Sequence, residues 1–234
     1  MVDKPGRFMA IRPKVVDCRQ TFKAYQAAYL LIQALRRKDS EAVVELVIKD
    51  DKGILKDIAT WCSKTGYQLI CSEPGKEGEM RCLIQKGEEK RNDKIMTVMI
   101  STAHLEDVAY PFDKALGGAV LGMQVNVVFE GAGVRLLKRG YRASLSGFWG
   151  RMFTTVVENV MKDKMGWPLS QDAISMLEEL GANFYVCGPS LVGYGVREED
   201  LVVKHHTLGG TITWIDLLAR SNVSVFSRAV FEKP

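Results

Sequence analysis

Ala182-Asn183-Phe184-Tyr185-Val186-Cys187-Gly188-Pro189-Ser190 is the stretch on which the reading of this chain turns. Its first five residues read as a buried strand, and Gly188 and Pro189 break that strand at its carboxyl end. In open α/β sheets, ligands bind in the crevice just beyond the carboxyl ends of the strands. Cys187 falls there, so its thiol is the leading candidate for chemistry.

Working outward, the second half of the chain alternates strand and helix. Strand Ile95 to Ser101 is followed by a helix near Pro111 to Leu121, strand Val125 to Phe129, and a helix from about Gly133 to Lys138. Helix Gln171 to Leu180 then leads into strand Ala182 to Val186. A short helical turn near Glu198, strand Leu201 to Lys204, helix Leu208 to Arg220 and strand Val223 to Phe226 complete the series. Five apolar strands separated by helices imply a doubly wound, mostly parallel five-stranded sheet buried on both faces.

An insertion at about 144–167 interrupts this alternation. Leu145, Phe148, Trp149, Met152, Phe153, Val156, Val157, Val160 and Met161 recur at three- and four-residue spacings, giving one broad apolar helical face. Packing within the same domain, a subunit interface and a membrane surface are the three roles open to it. The mixed charges of Glu158, Lys162, Asp163 and Lys164 speak against the last.

The first half reads as βαβαββ, a two-layer sandwich. Its elements are strand Lys14 to Asp17, helix Thr21 to Arg37, strand Ala42 to Ile48, helix Lys52 to Lys64, and strands Tyr67 to Ser72 and Met80 to Gln85. Period-2 alternation puts Leu69 with Cys71 on one face, and Cys82 with Ile84 likewise, which predicts that Cys62, Cys71 and Cys82 are buried structural thiols. The polar run from Lys86 to Lys94 has nothing to anchor a core, so the expected domains are 1–88 and 93–234.

The 234 residues are 47% hydrophobic and 26% charged with a net charge of +4, the composition of a globular protein. Interspersed charges give no nucleic-acid footprint, and Arg135 to Arg139 reads as the solvated end of a helix. The longest apolar stretch, Ala115 to Phe129, is interrupted by Gln124 and Asn126 and too short to span a bilayer. With Met1-Val2-Asp3-Lys4-Pro5 unlike a signal peptide, the expectation is a cytoplasmic protein with no integral membrane segment. Five cysteines without a C-x-x-C pair point to reduced thiols, with no disulfide framework or zinc site.

All three histidines fall where strands are expected to end: His104 after the first strand of the second domain, His205 and His206 after the fourth. A free thiol ionises near pH ~8.5, and a nearby imidazolium or helix N-terminus lowers that value, so each histidine is a candidate activator of Cys187. Sequence leaves open which of them approaches the sulfur. Gly131, Gly133 and Gly188 are candidate amide donors to an anionic sulfur species at helix starts. Gly131-Ala132-Gly133 lacks the third glycine of a dinucleotide fingerprint, and Gly117 to Gly122 lacks the lysine of a phosphate loop. No metal or organic cofactor is expected; adjacent strand histidines point to opposite faces.

The run Glu179-Leu180-Gly181, Cys187-Gly188-Pro189-Ser190, Gly195-Val196, Glu198-Glu199-Asp200-Leu201 and Gly209-Gly210 resembles the DsrE/DsrF-like sulfur-relay family. Gly122-Met123-Gln124-Val125, Phe129 and Leu136-Leu137-Lys138 extend the resemblance over about residues 94–230. It implies a flavodoxin-like or related fold, trimeric or hexameric homo-oligomers, and a cysteine that carries persulfide sulfur, placed here at Cys187. The first domain, about residues 12–86, resembles the TusA (SirA-like) sulfur-carrier family through Asp17-Cys18-Arg19, Asp50-Asp51, Asp57 to Cys62 and Gly66. It departs where that family has Cys-Pro opening the first helix, since this chain reads Phe22-Lys23-Ala24-Tyr25. That leaves a docking or regulatory module without a carrier thiol.

Together these readings predict a sulfur-relay protein, of sulfurtransferase or sulfur-carrier type, exchanging sulfur between Cys187 and a carrier protein or another thiol or persulfide partner. A non-catalytic assembly or regulatory protein of sulfur metabolism is the alternative. An ordinary small-molecule enzyme using His104 or His205 as base is a third.

Overall fold

The computed structural model describes residues 13–21, 23–36, 42–76, 78–88, 90 and 92–228. Its internal contacts divide the chain into Met1–Lys90 and Arg91–Pro234.

The first unit runs β1 (Lys14–Cys18), α1 (Ala24–Leu35), β2 (Val43–Lys49), α2 (Lys52–Thr65), β3 (Gln68–Pro74) and β4 (Glu79–Gln85), the βαβαββ order expected. The sheet order is β1, β2, β4, β3, with β1 parallel to β2 and the other pairs antiparallel. Helix α2 starts where Asp51 accepts from the amides of Gly53 and Ile54 at 2.7 and 3.1 Å, satisfying donors that a first turn leaves unpaired. It ends at Gly66, whose φ of +89° and amide bond to the Cys62 carbonyl form a left-handed cap. The expected end of α1 at Arg37 lies outside the described residues.

One thiol is not where alternation put it. Register slips between Leu69 and Cys71, so that Leu69 pairs with Ile84 while Cys71 pairs with Leu83. A bulge of this kind turns every later side chain to the other face. Cys71 is therefore exposed on an edge strand, whereas Cys62 and Cys82 are buried as expected.

The second unit holds β5 (Ile95–Ile100), α3 (Leu105–Val120), β6 (Gln124–Phe129), a 3-10 helix (Gly131–Leu137), α4 (Gly147–Met165), α5 (Ser170–Glu179), β7 (Asn183–Cys187), α6 (Gly188–Gly193), a second 3-10 turn (Glu198–Asp200), β8 (Thr207–Gly209), α7 (Thr211–Arg220) and β9 (Val223–Phe226). Its five strands are all parallel, in the order β8, β7, β6, β5, β9. Helix α3 packs on β5, β6 and α5, and α7 on β5 and β8. The central strand β6 has its last five residues buried, as a strand covered on both faces must.

Three expectations need correction. Leu201 to Lys204 is not a strand of the sheet. Leu201 bridges Lys138, and the Val202 amide donates to the Leu137 carbonyl at 2.8 Å, so this apolar run buries Leu201 and Val203 without joining the ladder. The fourth strand is Thr207–Gly209, and α7 accordingly starts at Thr211, not Leu208. Helix α3 begins at Leu105, six residues before Pro111, because Leu105 and Val108 extend the buried face that includes Phe112. The segment read as a helix near Gly133 is a 3-10 helix from Gly131.

The insertion forms α4, and its apolar residues divide: Met161 is buried and Leu145 and Val157 are half-buried, while the rest of the face is not packed in its own unit. Phe148, Trp149, Met152, Phe153, Val156 and Val160 are all exposed.

Two glycines of the second unit separate close approach from mere tolerance. A Cβ at Gly133 would stand 2.1 Å from the Ile100 carbonyl oxygen, whereas one at Gly117, inside α3, would meet nothing within 4 Å. Gly133→Ala should lower stability by about 1–3 kcal/mol or more, and Gly117→Ala should raise it by ~0.5–1 kcal/mol. Thermal unfolding would show melting temperatures shifting in opposite directions.

Candidate functional site

Strand alternation determines which layer the Cys187 thiol meets. On β7, Phe184 and Val186 point one way, Tyr185 and Cys187 the other. The Phe184 ring stacks on Phe129 with centroids 6.4 Å apart, and Phe129 in turn meets Phe112 of α3. The Tyr185 ring meets Trp214 of α7 edge-on at 6.2 Å. Cys187 shares the Tyr185 side and packs, half-buried, against the cluster of Met99, Val128, Trp214 and Leu217.

Its register partner is Gly209 on β8. A Cβ there would stand 2.8 Å from Trp214 Cη2, so a glycine lets the indole lie against the strand end beside the thiol. On its other side, Cys187 runs directly into α6 as the residue preceding that helix, with Pro189 in the first turn.

A hydrogen-bonded rim ties the strand ends together. Ser227, after β9, accepts the Ser101 amide on its hydroxyl at 2.8 Å, and the Ser101 hydroxyl donates to Glu130 Oε1 at 2.9 Å. The Gly131 amide donates to Ser190 Oγ at 2.9 Å, anchoring α6 to the end of β6. These contacts hold the backbone after Cys187 in one place relative to β6. Nothing in the sequence pattern marks Ser101, Ser227 or Trp214 as part of the site, because their approach depends on strand order.

The candidate partners are not gathered at the thiol. Because β8 starts at Thr207, His205 and His206 precede the strand and lie at its amino end; the expectation that they follow a strand's carboxyl end is overturned. His206 Nε2 instead stands 2.9 Å from Glu198 Oε1. His104 does follow β5, but β5 lies two strands from β7, about 10 Å across the sheet. It also leads into α3, which packs on the face opposite Cys187. The Gly131 and Gly133 amides are engaged by Ser190 Oγ and the Glu130 carbonyl, which corrects the expectation of two donors open to an anion. Gly188 has open space beside it, with nothing within 4 Å of where a Cβ would be.

The first unit shows what burial does to a thiol. Desolvation pushes Cys18 and Cys62 up to about 12 and Cys82 up to about 11. Cys18 closes β1 with its sulfur inside the sandwich. Its neighbours Asp17 and Arg19 form an exposed ion pair, whose hydrogen bonds hold the Asp17 carboxyl down to about 2, and Arg19 reaches Glu79 at 3.3 Å. In this unit the Asp-Cys-Arg segment is thus a structural strand end.

A doubly wound parallel sheet with a half-buried cysteine at the carboxyl end of an inner strand defines the general class. The family model of the DsrE/DsrF-like family matches residues 93–225, and the chain belongs to that family. Among solved structures, the ychN protein from E. coli aligns at 11% identity and a TM-score of 0.39, over 58% of this chain and 99% of that one. No curated protein matches the chain. Among the described residues, no helix is long and apolar enough to cross a membrane.

Thiol labelling should follow this geometry. At pH 8 a thiol with a pKa of 11–12 is thiolate to the extent of ~0.1% or less, so iodoacetamide should modify Cys71 and Cys187 while Cys18, Cys62 and Cys82 stay unmodified until the protein is unfolded. The same burial favours folding while all three thiols are protonated. Their folded values lie above 9.0, so that advantage fades as pH rises from about 9 toward about 11–12, which alkaline unfolding followed by near-ultraviolet absorbance would register.

Proposed function

We propose that the protein relays sulfane sulfur through Cys187. The Cys187 thiolate attacks the outer sulfur of a donor persulfide, the donor S–S bond breaks, and the donor leaves as a thiolate while Cys187 carries the sulfur as a persulfide. An acceptor thiolate then attacks that outer sulfur and Cys187 leaves as thiolate, so no net oxidation occurs and no cofactor is consumed. The observation that carries this reading is one of placement, since the exposed Cys71 lies in the middle of the edge strand β3 and not at a strand's carboxyl end. Cys187 sits at a strand's carboxyl end on the edge where such sheets bind ligands, whereas Cys18, Cys62 and Cys82 are buried and held protonated. Membership in the DsrE/DsrF-like family supports it.

In this reading, Ser190, bonded to the Gly131 amide, is a positioning residue for the loop after Cys187. The first unit is a TusA-like module with the βαβαββ order, in which the burial of Cys18 supports a docking or regulatory role. Donor and acceptor are then other sulfur-carrying proteins or another subunit of a trimeric or hexameric assembly in the cytoplasm.

Incubation of the reduced protein with a persulfide donor, followed by intact-mass measurement, should add one sulfur atom to the native chain and none to Cys187→Ser. Peptide mapping should place it on Cys187. Absence of added sulfur on the native chain, or equal addition to the variant, refutes the relay at this thiol. A Ser190→Ala variant should transfer sulfur more slowly by about tenfold while keeping the same mass increment at completion.

A further inference from the structure

Helix α4 carries its polar and apolar residues the wrong way round for a helix of an isolated unit. Its inward positions include Glu158 and Met161, and the Glu158 carboxylate accepts from Arg142 Nη2 at 2.8 Å. Its outward face presents Phe148, Trp149, Met152, Phe153, Val156 and Val160, between 40% and 73% exposed. Surface helices normally turn such a stripe to their own core, and a contiguous exposed apolar patch of more than a few hundred Å² marks an interaction site.

Three properties say what covers this face. The first is area: the six side chains present on the order of 600 Å² of apolar surface, close to the roughly 800 Å² per partner that a stable interface of standard size needs. The second is shape. Phe148, Met152, Val156 and Val160 form one ridge at four-residue spacing and Trp149 and Phe153 a second, leaving between them a groove of the kind that accepts an identical ridge. A face of this pattern is complementary to a copy of itself related by a twofold axis. The third is charge. The mixed signs of Arg151, Lys162, Asp163 and Lys164 lack the uniformly basic face of a helix that lies on anionic lipid.

We infer that α4 is an isologous docking face for a second copy of this chain, the two helices crossing antiparallel with Met152 and Val156 near the twofold axis. This contact stands independently of sulfur transfer at Cys187. It pairs chains, or pairs whole rings if the chains also form rings through other surfaces.

Light scattering of the full chain across a concentration series tests it, beside a Met152→Lys/Val156→Lys variant whose fold is checked by circular dichroism. The assembly mass should halve in the variant, or its dissociation constant should rise at least about tenfold. In a Cys71→Ser/Cys187→Ser background, Val156→Cys should oxidise to a covalent dimer whose yield does not fall on dilution through the assembled range. Acrylamide quenching follows Trp149, since Trp61, Trp167 and Trp214 are buried; it should be shielded in the assembly and accessible in the variant. An unchanged mass in the variant overturns the inference, as does a monomeric native chain. A Trp149 shielded in a monomer shows that the chain covers the face itself, and a native chain that floats as a monomer with phosphatidylglycerol vesicles shows that lipid does; either result also overturns it.

Discussion

Val128 and Phe129 are consecutive, both fully buried, and point to opposite faces of β6, and the second unit is arranged around that alternation. Val128 faces the α7 layer with Met99, Trp214 and Leu217; Phe129 faces the α3 layer with Phe112. The register carries the assignment to the next strand, where Tyr185 lies opposite Val128 and Val186 opposite Phe129. Cys187 is one step further and so falls on the α7 side. A slip of one residue would turn the thiol toward α3 and expose the aromatic residues that now form the core, which is why the register is strongly held.

This placement gives the thiol an apolar border on one side and a polar rim on the other. Trp214 approaches the strand end through the space that Gly209 leaves open, while Ser190, Gly131, Glu130, Ser101 and Ser227 form hydrogen bonds along the carboxyl edge. Burying the indole at this point contributes hydrophobic stability, and the rim satisfies polar groups that would otherwise be costly beside it. The same considerations act oppositely in the first unit, where complete burial keeps three thiols protonated.

Much of this was legible in the sequence because burial leaves a pattern. The βαβαββ order, the strands at Ile95, Val125, Asn183 and Val223, and the thiol at the end of β7 all follow from apolar runs punctuated by Gly and Pro. Sequence and structure part where a pattern reports burial but not pairing. Leu201 and Val203 are buried as their composition implies, yet they pack beside the 3-10 segment, so His205 and His206 come before a strand instead of after one. At Cys71 a single bulged residue reverses the face, and the local pattern that predicts alternation has no means of signalling that slip.

The sequence by itself determined the two-part organisation, the parallel character of the second sheet and the candidacy of Cys187, because chain-local periodicity and breakers encode those properties directly. Only the tertiary structure decided which groups surround the thiol. Strand order put β6 and β8 beside β7, moved His104 two strands away, and brought Trp214 against Gly209. It also showed the α4 stripe facing outward, since an amphipathic pattern specifies that a face must be covered but not by what. Those outcomes depend on contacts between residues far apart in the chain, and spacing along the sequence carries no record of them.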